Sequence, residues 1–250
     1  SCSRPRSPDD IPVDHEYFLD SDSVLSMCYL PESMLVLGSG VIACEYASIF
    51  ALLGVKVTMV DRFASPLGFL DPDLSAKFQE SFEAFGGRFV GNAKVSDIYW
   101  DGACEVVARM DNGLQLSAEK ALFALGRMAN GDSLGLAAAG LESNQYGILD
   151  ADENCQTKVP HIYAVGDVIG APAVASSSME QGRRAVRHAL GLPPGAPAHT
   201  IPSGIYTIPE IASVGLTELQ ARKEFGSVKV AKVDFAEVAR GQNAGIQDGL

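Results

Sequence analysis

Over residues 34–60 apolar side chains run almost without interruption, and the small or polar positions among them fall where a chain would turn. Residues 34–37 predict a buried strand. Residues 41–53 predict a helix with Ile42, Tyr46, Ile49, Phe50 and Leu53 along one apolar stripe. Gly54 stands where a helix end needs a left-handed residue, and the alternating residues 55–60 predict a second strand that ends on Asp61. In DPDLSAKFQESFEAFGG, Asp71 is a helix N-cap, Pro72 fits the first helical position and Gly86 closes the helix. From residue 88 to residue 125 the helical period disappears. RFVGNAKVSDIYW, ACEVVARM, LQLS and KALFAL read as short strands, with Asn112-Gly113 as a tight turn.

Beyond Gly126 the pattern changes again. Residues 141–165 predict a small hairpin region ending in a strand, HIYAV, followed by Gly166-Asp167, and residues 174–190 predict a helix. GLPPGAPAHT at 191–200 reads as a linker. It leads into GIYTIPEIASVG, a capping box formed by Thr217 and Gln220, and an alternating strand, VKVAKVDF, at 228–235. Residues 1–23 are polar and irregular.

Composition narrows the classes. The chain has 250 residues, 47% hydrophobic and 20% charged, which is a folded rather than a disordered balance. A formal net charge of −12, with no run of Lys and Arg, repels nucleic acid and anionic membrane surfaces. The long apolar region carries Glu45, Gly54 and Lys56, so it reads as a buried βαβ unit and not as a membrane span. SCSRPRSPDD has no apolar segment of the signal-peptide kind, which leaves a cytoplasmic location as the expectation. Cys2, Cys28, Cys44, Cys104 and Cys155 form neither a metal pattern nor a close redox pair. No nucleophile, general base or metal constellation is visible either.

The chemistry lies in VLGSGVIACEYA at 36–47. A lone Gly-x-Gly-x-x-Ala is weak, but here it follows a strand, opens a helix and precedes a second strand ending in an acid. That is the order in which a turn grips a dinucleotide. Gly38 permits the tight turn. Gly40, without a Cβ, lets a pyrophosphate approach the amides of the helix N-terminus, and Ala43 lets helix and strand pack closely. Val41 and Ile42 form the first turn over that site. Asp61 stands where a carboxylate meets an adenosine ribose. A packing turn without a ligand, or a methyltransferase turn, would share part of this pattern.

Five separated blocks resemble one family, the flavin-dependent pyridine nucleotide-disulfide oxidoreductases, with the soluble pyridine nucleotide transhydrogenases as its most similar branch. They are SRP at 3–5, GSGVIACEYASIF at 38–50, ALGRMANGDSLGL at 124–136, TKVPHIYAVGDV at 157–168 and SGIYTIPEIASVGLTE at 203–218. The resemblance implies an α/β fold: a Rossmann-like doubly wound NAD(P)-binding domain, part of an FAD-binding domain, and the start of an α+β dimerisation domain. It divides the chain into residues 1–23 (end of a first FAD segment), 24–126 (NAD(P) domain), 127–198 (second FAD segment) and 199–250 (start of the dimerisation domain). It implies NAD(H) or NADP(H) on Gly38, Gly40, Val41, Ile42 and Ala43, with Glu45 towards the nicotinamide, Asp61 on the ribose, Arg62 facing a 2′-phosphate, and Gly126 near the nucleotide. Glu45 reads equally as a surface glutamate, and Arg62 as a solvated loop charge. For FAD it implies Asp167 on the ribityl chain and Ala173, Val174 and Ala175 nearest the flavin ring; Asp167 could also be a plain turn residue.

The departures are as informative. The family's first glycine motif, its redox-active cysteine pair and its C-terminal catalytic histidine do not occur in these 250 residues, and Cys2 occupies a place usually held by glycine. GRMANGDSL replaces Gly-Arg-x-Pro-Asn-Thr; the lost proline leans towards the transhydrogenases, and Gly131 departs from both branches. The expectation is the central portion of a homo-oligomeric flavoprotein that passes hydride between NADH and NADPH pools. The alternatives are a dihydrolipoyl dehydrogenase or other disulfide reductase, and a non-catalytic nucleotide-binding module.

Overall fold

A computed structural model describes residues 3–7, 13–193, 201–245 and 249–250. Cys2 and most of the expected linker, residues 194–200, lie outside them. In chain order the strands are β1 (Ser3–Pro5), β2 (Phe18–Asp20), β3 (Ser33–Leu37), β4 (Lys56–Val60), β5 (Arg88–Val90), β6 (Val95–Trp100), β7 (Val106–Met110), β8 (Gln115–Ala118), β9 (Lys120–Phe123), β10 (Arg127–Ala129), β11 (Ser203–Ile205) and β12 (Ile211–Ser213). The helices are α1 (Val41–Leu52), α2 (Pro72–Ala84), α3 (Ala175–Ala189), α4 (Glu218–Phe225) and α5 (Ala239–Ala244). The chain divides into two compact units, one of residues 7–125, 204–211 and 216–250, the other of residues 1–6, 126–203 and 212–215.

The first unit is built on a five-stranded parallel sheet in the order β2-β9-β3-β4-β5. Its central strands read as unbroken apolar runs because both faces are covered. The two-residue period sorts them. Met34, Val36, Val57, Met59 and Leu122 join the cluster that includes α1 and α2. Leu35, Leu37, Val60, Ala121 and Phe123 point the other way, into a cluster with Val106, Ala108, Met110 and Ala118 of the antiparallel sheet β6-β7-β8. Helices thus cover one face and a second sheet the other. The Asn112-Gly113 turn links β7 to β8 as expected, with Gly113 at φ +85°.

Three sequence expectations need correction in this unit. The large apolar stripe of α1 is not its buried face: Ile49 and Leu53 are exposed, and the helix buries Ala43, Cys44, Ala47, Ser48, Phe50 and Ala51. Small side chains let α1 lie close on β3 and β4, which periodicity of bulk alone does not register. Asp71 sits at the N-cap of α2 but its side chain makes no capping bond there. Its Oδ1 accepts instead from the Glu218 amide at 2.8 Å, at the start of α4. Residues 228–235 are not a strand, because alternation supplies propensity and no pairing partner stands beside them among the described residues. The capping box of α4 is present as read.

In the second unit β1 pairs antiparallel with β10, and a small core gathers Ala129, Leu141, Leu149, Ala164 and Val168. The expected strand HIYAV is reduced to one bridge between Gln156 and Tyr163, and a 3-10 turn, Gly166–Ile169, follows. The helix expected over 174–190 is α3, flanked by Val174 and Leu190 as its caps.

Candidate functional site: a glycine turn at the switch point of a parallel sheet

The sheet order makes the site. From β3 the chain crosses by α1 to β4 on one side, whereas β9 pairs on the other, so the strand order reverses beside β3. A ligand crevice opens outside the carboxyl ends of strands at such a point. Gly38 ends β3 there. Its φ is +112°, and a Cβ on it would stand 2.6 Å from the Ala124 carbonyl oxygen, so only glycine passes under the end of β9. Gly40 is the N-cap of α1 with an extended backbone, and a Cβ there would meet nothing within 4 Å. No side chain caps this helix end. The first-turn amides of α1, including those of Val41 and Ile42, are therefore left without a side-chain cap, with the positive end of the helix dipole behind them. Ala43 is fully buried.

Several contacts hold the turn from behind. Gly38 N–H donates to the Val60 carbonyl and Ala124 N–H to the Leu37 carbonyl, which ties β3 to both neighbours at the rim. Leu67, buried with φ +50°, donates its amide to the Ser39 carbonyl at 2.9 Å. Cys44 lies below. Burial drives its thiol far up from the ordinary range, with the charges of Asp61 and Glu45 adding to the effect, so it is a neutral packing group and not a nucleophile.

Asp61 follows β4 on the same rim. Its Oδ2 accepts from the Ser39 hydroxyl at 2.7 Å and its Oδ1 from the Phe63 amide at 3.1 Å. Arg62 is exposed, with its guanidinium 4.9 Å from the centroid of the Phe63 ring. Glu45, half-buried on α1, accepts from the Tyr206 amide at 2.8 Å, and Ser48 accepts from the Ile208 amide at 3.1 Å. The segment after β11 is therefore fastened to α1 through a half-buried and a buried side chain. Sequence reasoning missed Ser39, Phe63 and Tyr206. Ser39 was hidden as the variable position of the glycine motif, and the other two act through backbone amides that carry no residue signal.

The other unit holds the remaining candidates. Gly126 is exposed at φ +105°. Asp167 accepts from the Ser3 hydroxyl at 2.5 Å, and the Arg127 guanidinium donates in turn to Ser3 Oγ at 2.6 Å. The adjacent Gly166 amide donates to Gln181 of α3 at 2.7 Å. Ala173 and Ala175 are exposed around the N-cap residue Val174, and no side chain caps α3. Among the described residues no three His, Cys, Asp or Glu side chains could share a metal, and no helix is long and apolar enough to cross a membrane.

Comparison with known proteins gives consistent results. The profile of the family described as pyridine nucleotide-disulphide oxidoreductase matches residues 2–188, and that of its dimerisation domain matches residues 201–250. Soluble pyridine nucleotide transhydrogenases are similar in sequence: one from Mycobacterium bovis is 43% identical over 99% of this chain, and one from a Marinomonas species is 39% identical over 99% of it. The chain spans about half of each, 53%. Among solved structures, LpdA from Mycobacterium tuberculosis superposes with a TM-score of 0.89 at 30% identity, covering 98% of this chain and 53% of that one. The HOCl-induced flavoprotein disulfide reductase RclA from Escherichia coli gives 0.87 at 26% identity, over 99% of this chain and 57% of that one.

Proposed function

We propose that this chain, which belongs to the pyridine nucleotide-disulphide oxidoreductase family, is the nucleotide-binding centre of a flavoprotein that moves hydride between NADH and NADPH pools. One observation carries the reading: Gly40 opens α1 onto free space at the switch point, with the Asp61 carboxylate on the same rim. Pyrophosphate oxygens would take the α1 amides, the ribose hydroxyls would take Asp61, and Glu45 would stand towards the nicotinamide. Arg62, next to Asp61, would be the cation that faces a 2′-phosphate. On this reading residues 24–126, with β2 at the edge of the same sheet, are the nucleotide domain, 127–198 a second FAD segment with the first strand of the chain as the end of the first, and 199–250 the start of a dimerisation domain.

The second unit fits a flavin. An acidic side chain oriented by Ser3, beside a helix whose N-terminus no side chain caps, suits a ribityl hydroxyl and an electron-rich ring edge. Asp167 and residues Ala173, Val174 and Ala175 would hold FAD, which when bound supplies the hydride-accepting and hydride-donating ring. The protein's own part is binding and orientation. In the whole protein we expect a cytoplasmic homo-oligomer acting on pyridine nucleotides and not on nucleic acid or membranes.

Fluorescence titration of the chain with NADH tests the nucleotide site, and saturable binding that Gly40→Val removes is the expected result. A disulfide reductase is the second reading, favoured by the likeness to RclA. Assaying the whole protein with NADPH and an NAD analogue, against NADH and a disulfide, separates the two.

A further inference from the structure

The carboxylate that follows β4 is held from inside the glycine turn. Ser39, 5% exposed, donates its hydroxyl to Asp61 Oδ2, and the Phe63 amide donates to the other oxygen. Ser39 is itself fixed, since its carbonyl accepts from the Leu67 amide and from the Cys44 thiol at 3.4 Å. The two halves of the nucleotide site, the phosphate turn and the ribose acid, are thereby locked to one another through one hydroxyl.

We infer that Ser39 is a positioning residue that fixes Asp61 for an adenosine ribose with a free 2′-hydroxyl, and so favours NADH relative to NADPH. This rests on the nucleotide-binding reading above. A carboxylate with one donor on each oxygen cannot swing, and each oxygen keeps lone pairs for an incoming hydroxyl. A ribose diol gains from such a fixed acceptor, whereas a 2′-phosphate brings negative charge against it and draws nothing from its orientation. Arg62, whose guanidinium lies over the Phe63 ring, is bonded to neither Ser39 nor this latch, so what it gives a 2′-phosphate is separate.

The test is a set of affinities measured on the 250-residue chain with NADH, NADPH and NADH lacking the adenosine 2′-hydroxyl. Ser39→Ala is expected to weaken NADH roughly five- to tenfold, to leave NADPH and the deoxy analogue nearly unchanged, and to leave the melting temperature close to that of the parent. If Ser39 acts through Asp61, adding Ser39→Ala to Asp61→Ala produces no further loss. Should Ser39→Ala fail to fold, Ser39→Gly removes the same hydroxyl. Equal weakening of NADH and NADPH, or an effect of Ser39→Ala that persists beside Asp61→Ala, would overturn the inference while leaving the nucleotide site standing. A parent chain that binds none of the three overturns the proposed function, and the inference with it.

Discussion

Two glycines two residues apart in one motif have opposite reasons for being glycine. Gly38 is needed by the fold: a Cβ on it meets the Ala124 carbonyl and its φ is positive, so Gly38→Ala should cost about 2–4 kcal/mol in denaturant unfolding. Gly40, on the proposed reading, is needed by the ligand. Its backbone is extended and its Cβ direction is empty, so Gly40→Val should melt like the parent and yet not bind NADH. A large stability loss in that variant would mean that the turn is structural at both positions. Asp20 offers a pH test. Burial pushes its carboxyl up, but donors from the Ser23 amide, the Ser23 hydroxyl and the Asp22 amide outweigh this and leave it below the ordinary carboxylate range. A depressed folded value stabilises the fold above about pH 4, the ordinary value, and that contribution is lost as acid carries pH down through the folded value. Asp20→Asn should therefore cost about 1–2 kcal/mol at pH 7 and progressively less in acid unfolding below pH 4. A difference that stays constant with pH would contradict this account.

At the level of elements, α1 shows how far a pattern can be read. Its position, its opening at the turn and its closure near Gly54 were legible, because glycines and β-branched runs punctuate the chain. Its orientation was not, because the eye follows large apolar side chains and this helix packs by small ones. Ala47, fully buried, should tolerate enlargement poorly: Ala47→Leu is expected to lower stability by about 1–3 kcal/mol, while Leu52→Lys, on the exposed side, should be close to neutral by chemical denaturation. The strand expected over 228–235 failed for a different reason. Alternation is a property of one segment, and a strand is a property of two. Around the candidate site, the placement of Gly38 after β3, Gly40 before α1 and Asp61 after β4 was legible because glycines and strand-ending acids punctuate the chain. Ser39 was not, because its part depends on where β4 ends in space.

Across the molecule, the sequence supplies its own probe. Trp100, the single tryptophan, stacks on Tyr17 at 4.9 Å within the unit that contains the glycine turn. Its emission during heating should report that unit. NADH at a hundred times its dissociation constant should stabilise it by about 2.7 kcal/mol, and Gly40→Val should abolish the shift. The order of strands has a consequence for synthesis as well. The glycine turn is made before β9, but the ledge above Gly38 is the carbonyl of Ala124, and β3 pairs with β9 only after β4 to β8 have emerged. A nascent chain halted before that point carries every residue of the glycine turn but not the Ala124 carbonyl that stands over it. On the proposed reading, nucleotide therefore meets the turn only after β9 has joined the sheet, and cannot serve as a template on which β3 and β4 first pair.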